Sequence, residues 1–178
     1  MKYKNLTLFL LLNLTLTCNS LAQIASSDFN FHKMEISSSS CSYDVPFSNI
    51  EFEKSFSEDS SVLWTNESKA GNYNFGIILV KFNEPVFDEE DEADLIASYL
   101  DFLKSQFEVT ASLGYNKNSV FKSDEMVKGI SDTWTIDGHP TLIQSWINNY
   151  FLVVMYIDGE NVPAHTSESY FQGFKFAE

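Results

Sequence analysis

Three histidines, two cysteines and one run of carboxylates are the residues of this chain whose types could do chemistry. His139 stands between Gly138 and Pro140 in WTIDGHPTLI. A catalytic role for it needs a nucleophile and an orienting acid within hydrogen-bond reach. The residues alternate on both sides of Asp137-Gly138, however, and Asp-Gly between two alternating runs is a two-residue hairpin turn that His139 merely decorates. Cys41 with His139 or His165 would give a thiolate–imidazole pair. An activated thiol needs a fixed electropositive setting, whereas SSSSCSY (residues 37–43) reads as a flexible, exposed loop. His32, His139 and His165 share no zinc-ligand spacing, and the chain contains no G-x-S-x-G elbow and no H-E-x-x-H helix.

The acidic run is the one candidate for cation binding. Asp88, Glu89, Asp91 and Glu92, with Glu90 between them and Asp94 beyond, offer the several oxygens that a hard cation such as calcium requires. The run lacks the D-x-[DN]-x-[DN]-G loop, and consecutive carboxylates on a helix point in different directions. The competing reading is a solvated helix start: Asp88 is the N-cap, and the carboxylates behind it are favoured by the positive end of the helix dipole. Asn66-Glu67-Ser68 matches a glycosylation sequon with no further signal for its use.

Charge narrows the partners. The chain carries a formal charge of −14 and contains no arginine. It begins MKYKNLTLFLLLNLTLTCNSLAQ, with Lys2 and Lys4 ahead of an apolar run and Ser20-Leu21-Ala22 before Gln23. That is the tripartite pattern of a secretory signal peptide over residues 1–22, too short and too polar for a membrane span. No later segment approaches the length of a transmembrane helix. Cleavage before Gln23 removes two lysines and no acid, so −14 becomes −16. Nucleic-acid binding needs basic patches, and a grip on phosphate or carboxylate substrates is best made with arginine, so both classes are disfavoured. The expected destination is outside the cytoplasm: periplasm, cell surface or medium. Cys18 follows the apolar run closely, but Thr15 and Thr17 fit a lipidation signal poorly, and loss of Cys18 with the signal is the expectation. Cys41 is then the only cysteine left, so stability rests not on a disulfide but on a core drawn from the aromatic residues, of which the full chain has 16 Phe, 8 Tyr and 3 Trp.

The elements that must position these residues follow from periodicity. Residues 23–44 read as a short N-terminal strand (FNFHKMEI) and a Ser-rich linker, and residues 45–178 as a single domain. IEFEKSF (50–56) alternates Ile50, Phe52, Lys54 and Phe56 against Glu51, Glu53 and Ser55. YNFGIILVKF (73–82) is apolar in both alternating sets, as a central strand covered on both faces should be. Beyond Pro85, Ile96, Leu100, Leu103 and Phe107 fall at helical spacing, making one amphipathic helix of about four turns. A strand signal at 109–114 and a polar loop holding Asn116 and Asn118 follow. From Met126 onward the chain meanders: Ile130/Asp132/Trp134/Ile136 alternates with Ser131/Thr133/Thr135, residues 141–147 run back, and residues 150–157 run out again. AHTSESYFQGFKF closes the chain as a short helix whose Phe171 and Phe174 dock on the sheet. The expected fold class is α+β: an antiparallel sheet of about six strands flanked by helices.

In order and in spaced aromatics, YNFGIILVKF, SYLDFLKSQF, WTIDGHPTLIQSWINNYFLVVMYID and SESYFQGFKF resemble the Mog1/PsbP-like α/β-sandwich family over roughly residues 45–176. The Tyr170-Phe171-Gln172-Gly173-Phe174 stretch is similar to the aromatic–small–Phe motif of that family's last helix. The resemblance implies a three-layer sandwich and an accessory or binding role; Mog1 proteins bind a small GTPase and PsbP proteins bind photosystem II. It transfers no site residue to this chain. The resulting expectation is an exported, non-enzymatic domain acting through a protein partner, with no cofactor. One rival is a binder of a small apolar ligand or a cation, held between sheet and helix or at the acidic run. The other is a hydrolase whose site is assembled only on folding.

Overall fold

A computed structural model describes residues 29–36, 38–47, 50–86, 92–122 and 127–177. The expected signal peptide with Cys18, and Asp88, Glu89 and Asp91 of the acidic run, lie outside the described residues.

The two most apolar stretches of the chain become neighbours. β5 (Tyr73–Lys81) and β10 (Phe151–Asp158) pair antiparallel at the centre of the sheet, with Val80 opposite Leu152 and Gly76 opposite Tyr156. Both sets of β5 side chains are buried because both faces of the sheet are covered, as the doubly apolar pattern predicted. On one side β10 is followed by β9 (His139–Ile147) and β8 (Val127–Ile136), and on the other β5 is followed by β4 (Val62–Ala70) and β3 (Glu53–Phe56). The edge beyond β8 is one strand in two pieces: β6 (Ala111–Ser112) pairs with Trp134 and Thr135, and β7 (Asn116–Lys122) pairs with the other half of β8. Each of these pairings is antiparallel.

Helix α1 (Glu92–Gln106) lies on one face, and its Ile96, Leu100 and Leu103 pack with Ile78, Val154, Ile143 and Trp134. On the opposite face helix α2 (Ala164–Gln172) brings Tyr170 and Phe171 onto Phe75, Ile77 and Trp146, and Phe174 and Phe176 follow. Trp134 and Trp146 are fully buried on opposite faces. Burial of a large apolar side chain contributes roughly 1.5–3 kcal/mol, so the layers are held mainly by such contacts. The α+β class, the antiparallel sheet and the flanking helices are therefore as expected.

The strand count is not. Among the described residues the sheet has eight strands rather than about six, and a separate two-stranded hairpin joins it. The outermost strands are polar: β3 and β6 fall within the segments read as strands at 50–56 and 109–114, and β7 is the strand that was not expected. All four β3 side chains and both β6 side chains are exposed, and β7 occupies the segment read as a polar loop. Edge strands need only main-chain pairing on one side, so their sequences can stay polar.

The Ser-rich stretch also differs from its reading as a linker. β1 (His32–Glu35) and β2 (Ser42–Val45) pair across it, and Ser39 Oγ both donates to the Ile36 carbonyl (2.8 Å) and accepts from the Cys41 N–H (3.0 Å). Ser38 and Ser40 adopt positive φ, which serine tolerates in a tight turn. The hairpin folds Ile36, Cys41, Tyr43 and Val45 into the core beneath α2, and reciprocal main-chain bonds tie Ser42 to Lys175.

Candidate functional site

The sequence-selected residues are spread through this fold. Asp137 and Gly138 both have positive φ (50° and 82°), the geometry of the favoured hairpin turn, and His139 begins β9 as an exposed residue. Its Nδ1 lies 4.0 Å from Glu160 Oε1, and both side chains are more than half exposed. His32 sits on β1 and His165 on α2, both exposed. Cys41 is fully buried, which overturns its expected exposure and leaves its thiol packed within apolar surroundings. Among the described residues no group of three His, Cys, Asp or Glu is placed to hold a metal ion. Glu92 opens α1, and Asp94 in the same turn is taken by Lys117 at 2.5 Å. Asn66 lies inside β4, where its amide donates to the Glu51 carbonyl (2.9 Å) and its Oδ1 accepts from Ser68 (3.1 Å), so the sequon is folded into the sheet.

Two constellations that the spacing did not single out take their place. The first is a buried carboxylate. Asp132 lies in the middle of β8 facing α1, at the point where the edge strand breaks between β6 and β7. Its Oδ1 accepts from the N–H groups of Thr133 (2.7 Å) and Gly114 (3.1 Å). Its Oδ2 accepts from Ser112 Oγ (2.7 Å) and Trp134 Nε1 (2.8 Å), with Lys104 Nζ at 3.4 Å. Lys104 in turn lies 4.0 Å from the centre of the Tyr115 ring, a cation–π contact. The Tyr115 hydroxyl bonds to Asp101 and to the Ala97 carbonyl. Burial, then the bond to Asp101, then the charges of Asp101 and Asp132 push that phenol well above its usual range. Asp94, Ala97, Asp101 and Lys104 make one stripe along α1, so the broken edge is strapped to the helix where its own ladder is interrupted. Asp132 has its donors already, and its chemistry is that of a clamp.

The second constellation is open. A cleft of about 400 Å³ lies on the α1 face over β3, β4 and β5, lined by Glu51, Glu53, Glu67, Asn66, Phe107 and Tyr156. Gly76 shapes its floor. A Cβ there would lie 1.9 Å from the Tyr156 ring, so only glycine lets the ring lie across β5. In that position the Tyr156 hydroxyl donates to Glu67 Oε2 at 2.5 Å, and Phe107 meets the ring edge-on at 5.5 Å between centres. Burial, the bond to Glu67 and the charges of Glu67 and Asp158 raise the Tyr156 phenol far above its ordinary value. It therefore stays protonated and holds Glu67 in place as a carboxylate acceptor. From beneath, Tyr170 donates to the Gly76 carbonyl (2.9 Å), fixing the same point of β5 from the other face. Three carboxylates and two rings around a water-accessible hollow attract cations and cationic side chains.

Comparison with protein families, with curated proteins and with solved structures finds no match to this chain. Among the described residues no helix is long and apolar enough to cross a membrane. A second hollow, of about 360 Å³, lies between α2 and the β8–β9 surface, bounded by Phe171, Ser167, Gln144 and Asn116.

Part of this was visible beforehand. The alternation of residues 50–56 already put Glu51 and Glu53 on one side, and Asp132 was the single charge in an otherwise apolar set. What was not visible is the register: β4 sets Glu67 opposite Gly76, and β10 sets Tyr156 opposite the same residue from the other side.

Proposed function

We propose that the protein is an exported, non-enzymatic interaction domain that receives a basic protein partner at the Glu51–Glu53–Glu67 cleft. The observation that carries this reading is the convergence of three carboxylates on one open hollow, in a chain whose formal charge is −14 and which contains no arginine. Open carboxylates over aromatic rings favour the approach of lysine- or arginine-bearing surfaces and raise their association rate. The Mog1/PsbP-like resemblance supports an accessory role of this kind, and within this reading the three-layer arrangement belongs to that family. The secretory pattern at residues 1–22 supports a partner outside the cytoplasm.

The test is cross-linked affinity capture from the host envelope with tagged wild type and with the E51K/E53K double variant. Retention of one partner by wild type, its release by salt and its loss in the variant at an unchanged melting temperature are the expected results. Equal retention by both proteins would place the contact elsewhere.

One observation favours a second reading. About 400 Å³ falls within the range of small-molecule sites, so a small organic cation fits the same cleft. Thermal shifts with a panel of amines and divalent ions separate the two: saturable stabilisation by a small amine, with no protein retained, selects the ligand.

A further inference from the structure

Beside the cleft, the sheet ends. Among the described residues β3 pairs only with β4. The direction of its main-chain groups is fixed at both ends: the Asn66 amide reaches the Glu51 carbonyl from β4, and the Ser57 N–H donates to the Ser61 carbonyl (3.0 Å) across the turn. Main-chain groups alternate in direction along a strand, so those of Glu53 and Ser55 also point to β4, and those of Lys54 and Phe56 point outward. The turn itself is rigid, because Asp59 accepts from Ser57 Oγ, from the Ser61 N–H (3.0 Å) and from Ser61 Oγ (3.0 Å), bonds that hold its carboxyl below the usual range.

Side chains on the edge are sorted by face. Lys54 and Phe56 lie on the α2 face, where Lys54 Nζ rests 5.5 Å from the Trp64 ring and 5.7 Å from the Phe56 ring, and Phe56 is 69% exposed. Glu53 lies on the other face with Glu51 and Glu67, against the cleft. A lysine on an edge strand normally guards it against pairing. This one is turned sideways onto two rings, and the outward hydrogen-bonding groups stay accessible.

We infer that β3 is an acceptor edge for an extended segment of the partner in which basic and apolar residues alternate. The inference rests on the cleft reading and names the partner's chemistry. A strand added to β3 takes its main-chain bonds from Lys54 and Phe56. Its alternate side chains then fall on opposite faces: lysines beside Glu53 and into the cleft toward Glu51 and Glu67, apolar residues beside Phe56. Charge complementarity selects a lysine-bearing strand over a second copy of this chain, whose own acidic face would be repelled.

The probe is a short capped peptide alternating lysine with valine, titrated calorimetrically against the mature protein, with amide hydrogen exchange followed at each β3 residue. A second copy of the peptide is methylated on alternate backbone nitrogens. The expected result is binding that weakens with salt, with new protection at the Lys54 and Phe56 amides. Methylation, Glu53→Lys and Lys54→Pro each weaken binding at least about tenfold, which is about 1.4 kcal/mol. Lys54→Pro removes an outward donor and no bond to β4; should that variant unfold, the methylated peptide carries the same test. Equal binding of both peptides, without protection at Lys54 and Phe56, overturns strand addition and leaves the cleft as a charge-only site. Failure of both peptides overturns the inference too, and the envelope capture then decides whether the cleft reading falls with it.

Discussion

The Asp132 clamp and the Glu51–Glu53–Glu67 cleft both lie on the α1 face of one sheet, and both are built from carboxylates, yet they do opposite things. Asp132 has a side chain with no solvent exposure and five donors around its two oxygens, from α1, β6, β8 and the link between β6 and β7. Glu51 and Glu53 are exposed, and Glu67 takes one bond from Tyr156 while bordering open space. A buried carboxylate is tolerated only when its lone pairs are used, and once they are used it holds the chain together and has nothing left to offer a ligand. Exposed carboxylates cost the fold little and keep their capacity for outside partners. What separates the clamp from the proposed recognition site is saturation, not residue type.

The largest effect should come from breaking the clamp. Asp132→Ala leaves Lys104, Trp134 Nε1, Ser112 Oγ and the Gly114 N–H without their shared acceptor, and removing one partner of such a buried pair costs about 3–5 kcal/mol. Urea unfolding measures it. Asp132→Asn keeps the volume and part of the acceptor capacity, so it should lose less. Hydrogen exchange should locate the first damage at residues 111–117, where the ladder is interrupted between β6 and β7 and bonds to Asp132, Asp101 and Asp94 reinforce it. A loss below about 0.5 kcal/mol, the range of ordinary surface substitutions, would mean that the clamp is ornamental.

How much of this contrast was legible in the sequence depends on where each residue's information lies. The two central strands, the stripe of α1 and the Asp137-Gly138 turn were readable because each is set by a local pattern: double-faced apolar alternation, helical spacing, one favoured dipeptide. β3 and β6 fall within segments whose alternation reads as strand, whereas β7 reads as a polar loop because an edge strand is held by main-chain bonds that need leave no pattern in side chains. Cys41 was misplaced because four serines read as a flexible loop, whereas Ser39 satisfies the turn and lets Ile36 and Tyr43 reach the core. The cleft needed long-range register. Glu67 and Tyr156 are 89 positions apart and meet only because Gly76 stands between them.

Gly76 offers the next effect in size, and it joins the cleft to the core. In Gly76→Ala the new Cβ displaces the Tyr156 ring, a clash of the kind that costs about 1–3 kcal/mol. The ring can leave only by moving into the cleft, so the variant should lose stability and cleft binding together. Were binding to survive unchanged, Tyr156 would not be part of the recognition surface.

Tyr156→Phe is gentler. It removes the bond to Glu67 and should cost about 1 kcal/mol at neutral pH, the net worth of a typical hydrogen bond. Its pH dependence is more informative. The phenols of Tyr43, Tyr115, Tyr156 and Tyr170 are all raised above 10.0, in each case chiefly by burial. Folding therefore favours their protonated forms: their contribution is complete below pH 10.0 and is lost as pH rises beyond it toward the folded-state values. Wild-type stability should fall above that pH, and Tyr156→Phe, with one raised phenol fewer, should fall less steeply. Phenolate absorbance should show these four groups titrating only with unfolding. If Tyr156 ionised in the folded protein instead, the cleft would be wetter than the geometry implies.

The smallest effect should belong to His139, the residue whose setting first raised the possibility of catalysis. Its side chain is 57% exposed, its nearest carboxylate is 4.0 Å away and 69% exposed, and it follows a turn whose shape is set by Asp137 and Gly138. His139→Ala should change stability by less than about 0.5 kcal/mol, since nothing depends on the imidazole. Gly138→Ala places a side chain at a φ of 82° and should cost more, although Gly138 has no chemistry of its own. That ordering separates the turn from a site, because a catalytic histidine gives the reverse: a neutral change in stability joined to the loss of a function that Gly138→Ala would largely spare. Binding of the proposed basic partner, measured in both variants, supplies the functional half of the comparison. It should be unchanged in each, because the β8–β9 turn is not among the segments that line the cleft.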